Sequence, residues 1–419
     1  MLKTFNFEKL PIVEIVNEII IDATKNRASD IHIDPFNDVL KIRIRIDGTL
    51  IDYATVPNDY KKNLVTRIKI IAGMNITENR LPQDGAIKTS LNGIPLDMRV
   101  SSLPTNNGEK IVIRILDYSM SIQGLEQLGF TKDNFEKIMK MINLPNGIIL
   151  VTGATGTGKS TTVYSILQRL NREEANVITV EDPVEMDIPG VNQVQVNSEI
   201  GLTFANVLRS ILRQDPDIIM IGEIRDDETA TIAVRASVTG HLVLSTIHTN
   251  NSLNTIERLL DMEVERYLLA ASLSGIISQK LARKLCPHCR KKITPTPYEK
   301  YLFKKNLGID LNEIYVAGDG CDNCMNGYRG RIAIHEVLLI DEDIRDAISN
   351  NIRKEELRKL VYSENVHTLL QDGLIKVAQG LTSFEEIIKL IELDVEDIVI
   401  PKGENAENNN VQDNNIEQK

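Results

Sequence analysis

A glycine-rich segment near the middle of the chain has the residue types and the spacing of a phosphate-binding loop. Residues 153–160 read GATGTGKS and match the pattern GxxxxGK(S/T) in full, between an apolar strand and a helical pattern. Glycines let the main chain wrap around a phosphate with its N–H groups pointing inward. We expect Lys159 to reach the β- and γ-phosphates and Ser160 to hold Mg²⁺. The predicted ATP-binding residues are Gly153, Ala154, Thr155, Gly156, Thr157, Gly158, Lys159, Ser160 and Thr161.

Carboxylates follow two further apolar strands. Glu223 follows the run 218–222, and Glu185 closes the acidic segment 181–185 after the run 177–180. Ligands of parallel α/β sheets bind at the carboxyl ends of the strands. Glu223 can order Mg²⁺ through water or polarise the attacking water, and Glu185 is a second candidate base. Each residue alone would be interpreted as a surface carboxylate, but two at adjacent strand ends favour a catalytic role.

Two histidines bracket another apolar strand. His241 precedes and His248 follows the run 242–247. A histidine at a strand end near a γ-phosphate can sense the phosphate or donate a hydrogen bond to it. A single histidine is more often structural, so the residues alone leave both interpretations open.

Four arginines are candidates for stabilising charge on the γ-phosphate during transfer. Arg209 and Arg213 are four residues apart and share one face of a predicted helix. Arg99 and Arg114 lie on predicted strands of the N-terminal part of the chain. The simpler interpretation of all four is a set of surface ion pairs, each of which contributes little to stability.

All four cysteines fall in two CxxC pairs, Cys286 with Cys289 and Cys321 with Cys324. Two such pairs can close a tetrahedral zinc site. A redox role would need only one pair beside a thioredoxin-like pattern, which the sequence lacks. Because all four positions are cysteine, we predict structural zinc rather than catalytic zinc.

Length, charge and composition limit the classes of protein to which this chain can belong. The chain of 419 residues suggests two to four domains, at about 100–200 residues each. Its net charge of −11, its lack of a long Lys/Arg run and its lack of Trp disfavour direct binding of nucleic acid. The sequence has neither a signal-peptide pattern nor an apolar stretch of about 18 residues, so we expect a cytoplasmic protein.

The elements that position these residues fall into two blocks. The first is a small α/β domain over 1–116, in which apolar spacing predicts a helix over 8–27 and a strand over 40–46 that ends at an Asp47-Gly48 turn. Its further elements are strands near 29–34, 85–90, 95–102 and 110–116 and a helix near 58–74.

A linker over 117–129 leads to the second block, residues 130–400. Strands alternate there with helices, which predicts an α/β domain with a doubly wound, mainly parallel sheet. The cysteine-bearing segment 284–330 is inserted into it. Residues 401–419 hold six Asn and almost nothing apolar, so we predict a disordered tail.

The run from Gly153 to His248 resembles the secretion ATPases. The P-loop and residues 181–185, 215–226 and 239–249 are similar to the Walker A, Asp, Walker B and His boxes of that family. Residues 29–32, 43–48 and 80–85 resemble its PAS-like N-terminal domain. The resemblance covers roughly residues 8–395. It implies a PAS-like α/β domain followed by a RecA-like P-loop domain, with nucleotide bound between the two.

The resemblance also implies a homohexamer that hydrolyses ATP. By this analogy Arg99 and Arg114 contact the γ-phosphate from the N-terminal domain, and Arg209 and Arg213 are the family's further arginines. Glu185 and Glu223 act on water and metal, and His241 and His248 support the site.

Within the family, the tetracysteine segment is typical of the assembly motors of type IV pili and type II secretion, whereas retraction motors usually lack it. We therefore expect an assembly motor at the inner face of the cytoplasmic membrane, with a polytopic membrane platform protein and other cytoplasmic machine components as partners. Because the PAS-like domain starts almost at Met1, docking through an extra N-terminal domain is not expected. A retraction motor, a DNA-uptake motor and a non-catalytic nucleotide-binding scaffold are the alternatives.

Overall fold

The computed structural model describes residues 3–91, 94–117, 124–363 and 365–391, which form two large sheets. The first sheet is antiparallel and has two helices packed with it. Its elements are α1 (Ile12–Lys25), β1 (Ala28–Pro35), β2 (Val39–Ile46), β3 (Thr49–Pro57), α2 (Asn58–Ile71), β4 (Gln83–Leu91), β5 (Ile94–Thr105) and β6 (Gly108–Asp117). The strand order is β3-β2-β1-β6-β5-β4.

The pattern of β2 shows why this sheet forms. Leu40, Ile42 and Ile44 are buried, and the charged residues between them are half-buried, as expected for a strand with one face in a core. The strand turns into β3 at Asp47 and Gly48, which both have positive φ, at 48° and 85°. An Asp-Gly pair with both residues at positive φ is the turn that suits a tight hairpin.

The second sheet has seven strands in the order β15-β12-β7-β11-β10-β8-β9. All neighbouring pairs are parallel except β12 with β15. The strands are β7 (Gly147–Thr152), β8 (Val177–Glu181), β9 (Asn192–Gln195), β10 (Ile218–Ile221), β11 (Leu242–Ile247), β12 (Leu273–Leu285) and β15 (Tyr328–Leu339), with the short pair β13 (Lys291–Ile293) and β14 (Ile314–Val316) between the last two.

Helices cover both faces of the second sheet. β7, β8, β10 and β11 are buried along their whole length, because a parallel sheet with helices on each side has no solvent face. The helices on one face are α3 (Lys132–Ile142) and α4 (Lys159–Leu170), and those on the other are α5 (Phe204–Ile211), α6 (Asp227–Val238), α7 (Ser252–Asp261), α8 (Arg266–Ser272), α10 (Glu342–Ser349) and α11 (Lys354–Val361).

The cysteine-bearing segment extends from the β12–β15 hairpin. It contains α9 (Pro297–Leu307) and the antiparallel pair β13 and β14. Its apolar residues share a core with α12 (Leu369–Ala378) and α13 (Phe384–Leu390). The segment is therefore packed against the helices that follow the sheet.

The predicted α/β class with a doubly wound sheet and an inserted cysteine segment is confirmed. The strand β3 was not predicted, because its buried residues do not alternate strictly. The domain limits at 1–116, 117–129 and 130–400 remain predictions, and the predicted tail at 401–419 lies outside the described residues. Within the described ranges, we find no helix long and apolar enough to cross a bilayer.

Candidate functional site

The phosphate-binding loop lies between β7 and α4, at the carboxyl edge of the second sheet. The cap of α4 is Gly158 at φ 87°, which has no side chain to occupy the amides of the first turn. These amides and the helix dipole favour an anion. Gly153 has φ 152°, and a Cβ there would lie 2.5 Å from the main-chain oxygen of Gln279. The loop therefore needs glycine at this position.

Lys159 is buried and folded back over the loop. Its Nζ donates to the carbonyl oxygens of Gly153, at 2.8 Å, and Ala154, at 3.0 Å. Burial lowers the pKa of Lys159, whereas Glu223 and Glu185 act in the opposite direction. The Lys159 ammonium lies at the N-terminus of α4, next to the free main-chain amides of the first turn. Both groups attract a negative charge, so the loop is suited to bind a phosphate group. Ser160 is half-buried and Thr161 is exposed in the same turn of α4.

Gln279 of β12, which sequence reasoning missed, holds this loop in place. It is almost fully buried, and its Nε2 donates to the carbonyl oxygen of Thr157 at 2.7 Å. Its Oε1 accepts a hydrogen bond from Thr162 at 2.8 Å. One side chain thus joins the loop to the first turn of α4. The contacts span more than a hundred residues of sequence, so local spacing gave no signal for them.

Glu223 lies just beyond β10, and its carboxylate has two polar neighbours. The Oε2 atom of Glu223 is 3.4 Å from Nε2 of His248, which follows β11. Its other oxygen accepts a hydrogen bond from Arg225. Arg225 also faces Asp182, with 3.6 Å between Nη1 and Oδ2. The sheet therefore brings the predicted residues Glu223 and His248 together, and the charge of Glu223 acts on Lys159.

Glu181 is a buried carboxylate whose role the sequence did not indicate. It accepts hydrogen bonds from the hydroxyls of Tyr164 and Thr179 and from the amide of Gln193. Burial, together with the charge of Glu181, raises the pKa of Tyr164, so this phenol stays a donor. The Tyr164 oxygen in turn accepts from the main-chain N–H of Glu185 at 3.2 Å. This chain of contacts anchors the loop that carries Glu185.

Arg99 reaches the second sheet from the first. Its Nη2 donates to the carbonyl oxygen of Val184 at 3.4 Å, next to Glu185. Arg114 is the cross-strand partner of Arg99, and its Nε donates to Oδ1 of Asp30 at 3.2 Å. Both arginines therefore lie on neighbouring strands of the first sheet, and Arg99 touches the acidic loop directly.

Three predicted residues do not join this edge. His241 precedes β11, and its carbonyl accepts from Gly147 at the start of β7, so about 20 Å of strand separates it from His248. Arg213 donates to the carbonyl of Arg209 at 2.7 Å, just after α5. Arg209 is 2.5 Å from Glu228 in an ion pair. A role for these three residues in the nucleotide site of their own chain stays a prediction that this geometry does not support.

The four cysteines meet in one cluster, with all sulfur atoms within 4.8 Å of one another. Three Sγ–Sγ distances are 3.7 Å (Cys286 to Cys321), 3.6 Å (Cys289 to Cys324) and 3.6 Å (Cys321 to Cys324). Tetrahedral zinc with Zn–S bonds of about 2.3 Å requires edges of about 3.8 Å. The donor set and its spacing therefore fit one zinc ion.

One thiol of the cysteine cluster, that of Cys324, has a lowered pKa. Burial opposes ionisation of Cys324, but hydrogen bonds led by that from the Cys321 amide lower its pKa to about 7. The Cys321 N–H lies 3.2 Å from this sulfur. Burial and its neighbouring thiols raise the pKa of Cys289 to about 12. Zinc binding would displace such protons, so the affinity for zinc should rise with pH.

Comparison with known proteins agrees with the geometry. The family model described as "Type II/IV secretion system protein" matches residues 6–389. The chain is 45% identical over 381 residues to the type II secretion system protein E of Dickeya dadantii, and the match covers 91% of this chain and 76% of the relative. It is 45% identical over 380 residues to the type IV pilus assembly ATPase PilB of Thermus thermophilus, which covers 90% of this chain and 42% of that protein.

Solved structures share the fold. The pilus retraction motor PilT with bound ADP matches with a TM-score of 0.61 and 27% identity, over 93% of this chain and 99% of that one. The ATPase DotB of Legionella pneumophila matches with a TM-score of 0.70 over 93% of this chain and 98% of that one, and its 23% identity supports the fold alone. The chain thus belongs to the Type II/IV secretion system protein family, and the predicted resemblance to the secretion ATPases is confirmed, as is the prediction of an ATP hydrolase.

Proposed function

We propose that this ATPase drives the assembly of type IV pili or of type II secretion pseudopili. The observation that carries the proposal is the combination of a complete P-loop edge with a tetracysteine cluster in one chain. The 45% identity to protein E and to the pilus assembly ATPase supports the same direction of action.

The roles of the site residues follow from their positions. ATP with Mg²⁺ would supply the phosphoryl group and the charge that orients it. Lys159 and the α4 amides bind the phosphates, and Ser160 offers a hydroxyl ligand for the metal. Glu223 orients or deprotonates the attacking water, and His248 holds Glu223. Arg99 brings positive charge to the acidic loop that carries Glu185.

The working unit that we propose is a homohexamer on the cytoplasmic face of the membrane, where it acts on a polytopic membrane platform protein. ATP binding draws the first sheet onto the second, and hydrolysis releases it. Arg209 and Arg213, which lie on α5 and just beyond it, would act on a neighbouring subunit. The four cysteines hold one structural zinc.

A retraction motor is the alternative within the family, and the likeness to the retraction motor PilT supports the common fold of both. A DNA-uptake motor would share the same chemistry and differ in cargo. A non-catalytic scaffold is disfavoured, because Lys159, Ser160 and Glu223 are all present at the P-loop edge.

The test measures ATPase turnover, zinc content and molecular mass on one purified sample, beside Lys159→Ala. We expect Lys159-dependent turnover, about one zinc per chain and the mass of six subunits. Turnover without zinc would favour a retraction motor. A Lys159→Ala protein with normal turnover would overturn the mechanism.

A further inference from the structure

The knuckle turn, residues 325–330, directly follows Cys324 and includes the first three residues of β15. Met325 and Tyr328 exchange two main-chain hydrogen bonds of 2.9 Å, and Asn326 and Gly327 between them have positive φ. The carbonyl oxygen of Gly327 accepts from the N–H of Cys286 at 2.8 Å. The shape of this turn is therefore tied to both cysteine pairs.

The knuckle turn also touches the first sheet. The N–H of Gly330 donates to Oδ2 of Asp47 at 2.7 Å, which is a short hydrogen bond to a charged acceptor. Asp47 is the first residue of the tight turn between β2 and β3. Met325 packs against the apolar core of the first sheet. A polar contact and an apolar contact thus join the same six residues to the N-terminal part of the chain.

We propose that the knuckle turn is the docking surface on which the β2–β3 turn rests, and that zinc at the four cysteines sets this surface. The inference rests on the proposed zinc site and goes beyond it, because it gives the metal a role in the contact between the two sheets. A metal that ties Cys286, Cys289, Cys321 and Cys324 together fixes the turn that follows Cys324 and holds Gly330 and Met325 in position for docking.

Linkage makes the proposal reciprocal. If zinc stabilises docking, then docking must stabilise zinc by the same factor. A change at Asp47, which is not a zinc ligand, should therefore weaken zinc binding. Asp47→Gly is the suitable variant, because glycine adopts the φ of 48° without strain and has no carboxylate.

The experiment measures the zinc affinity of the full-length protein by equilibrium competition with a chromogenic chelator. We expect Asp47→Gly to bind zinc at least about fivefold more weakly than the wild type, at the low end of usual coupling energies. Asp47→Asn keeps an acceptor oxygen and should bind zinc more tightly than Asp47→Gly. Asp52→Ala is the control on the same hairpin, since Asp52 is exposed and faces Lys41.

Hydrogen exchange gives the second readout. Removing zinc should speed amide exchange in residues 44–50 of the first sheet, while exchange in α2 of that sheet stays unchanged. An Asp47→Gly protein that binds zinc with the wild-type affinity overturns this inference and leaves the zinc site standing. A protein that binds no zinc overturns both.

Discussion

The side-chain amide of Gln279 donates to the carbonyl oxygen of Thr157 at 2.7 Å and so joins an antiparallel hairpin strand to the P-loop. This contact ties the loop to the strand beside β7. Because Gln279 also accepts from Thr162, its loss leaves two buried polar groups without their partner.

We therefore expect Gln279→Leu to lower the free energy of unfolding by about 1–3 kcal/mol, the usual cost of leaving a buried polar group without a hydrogen-bond partner. It should also raise the KM for ATP, because the loop loses its support. Gln168→Leu, on the exposed side of α4, should change neither quantity. Thermal unfolding and steady-state ATPase kinetics measure both effects, and an unchanged KM would show that the loop holds its shape without Gln279.

The role proposed for Glu223 is to act on the attacking water. Glu223→Gln keeps the shape of the side chain and the contact with His248 but removes the charge. We expect hydrolysis to fall by about 100-fold or more, the lower range for loss of a general base. Binding of a fluorescent ATP analogue should stay close to that of the wild type. Equal hydrolysis by this variant would transfer the role to Glu185, for which Glu185→Gln is the matched comparison.

The zinc content of the protein should depend on the four cysteines. Cys286→Ser removes a buried ligand, so zinc content should fall from about one per chain to near zero. His288 lies between Cys286 and Cys289 but is not part of the cysteine cluster, so the His288→Ala protein should keep its zinc. Metal analysis of the two purified variants decides this prediction. Zinc retained in Cys286→Ser would mean that the metal uses other ligands.

Asp34 of β1 stabilises the first sheet in a pH-dependent way. Burial would raise its pKa, but Lys110 and Arg43 overcome this effect and lower it. A carboxylate with a lowered folded pKa stabilises the fold above its unfolded pKa, about 4, and loses this contribution as the pH falls through the folded value.

Asp34→Asn should therefore lower the free energy of unfolding at pH 7 by about 2 kcal/mol, as for hydrogen bonds to charged groups. The difference from the wild type should shrink below a pH of about 4. Asp38→Asn, which is exposed on the adjoining turn, serves as the control. Chemical denaturation at several pH values gives the result, and a pH-independent difference would contradict it.

Local patterns predicted the parts of the fold that local forces determine. The apolar runs of β7, β8, β10 and β11 are strands because a doubly covered parallel sheet buries every residue in them. The P-loop was visible because all of its residues lie within eight consecutive positions, 153–160. The cysteine cluster was visible because each pair occupies a single turn.

Contacts between distant segments were not predictable in this way. Gln279, Tyr164 and Glu181 acquire their roles only when strands and helices pack, and each looks ordinary in its own segment. His241 and His248 appear equivalent in sequence, yet they lie at opposite ends of β11, a strand of six residues. His241 precedes β11 and His248 follows it, so only His248 lies at the carboxyl end of the strand. The spacing of the two residues does not show which end lies near the P-loop.

The strand β12 runs unbroken for 13 residues from the apolar interior of the second sheet to Cys286. Gln279 lies near its middle, so about 20 Å of hydrogen-bonded strand separates the P-loop support from the first cysteine. The strand pairs with β15 from Gly275 to Leu285, with one shift of register just before Leu285. A displacement of the P-loop would therefore be carried along β12 to its far end, where the chain presents its metal cluster and the contact with Asp47.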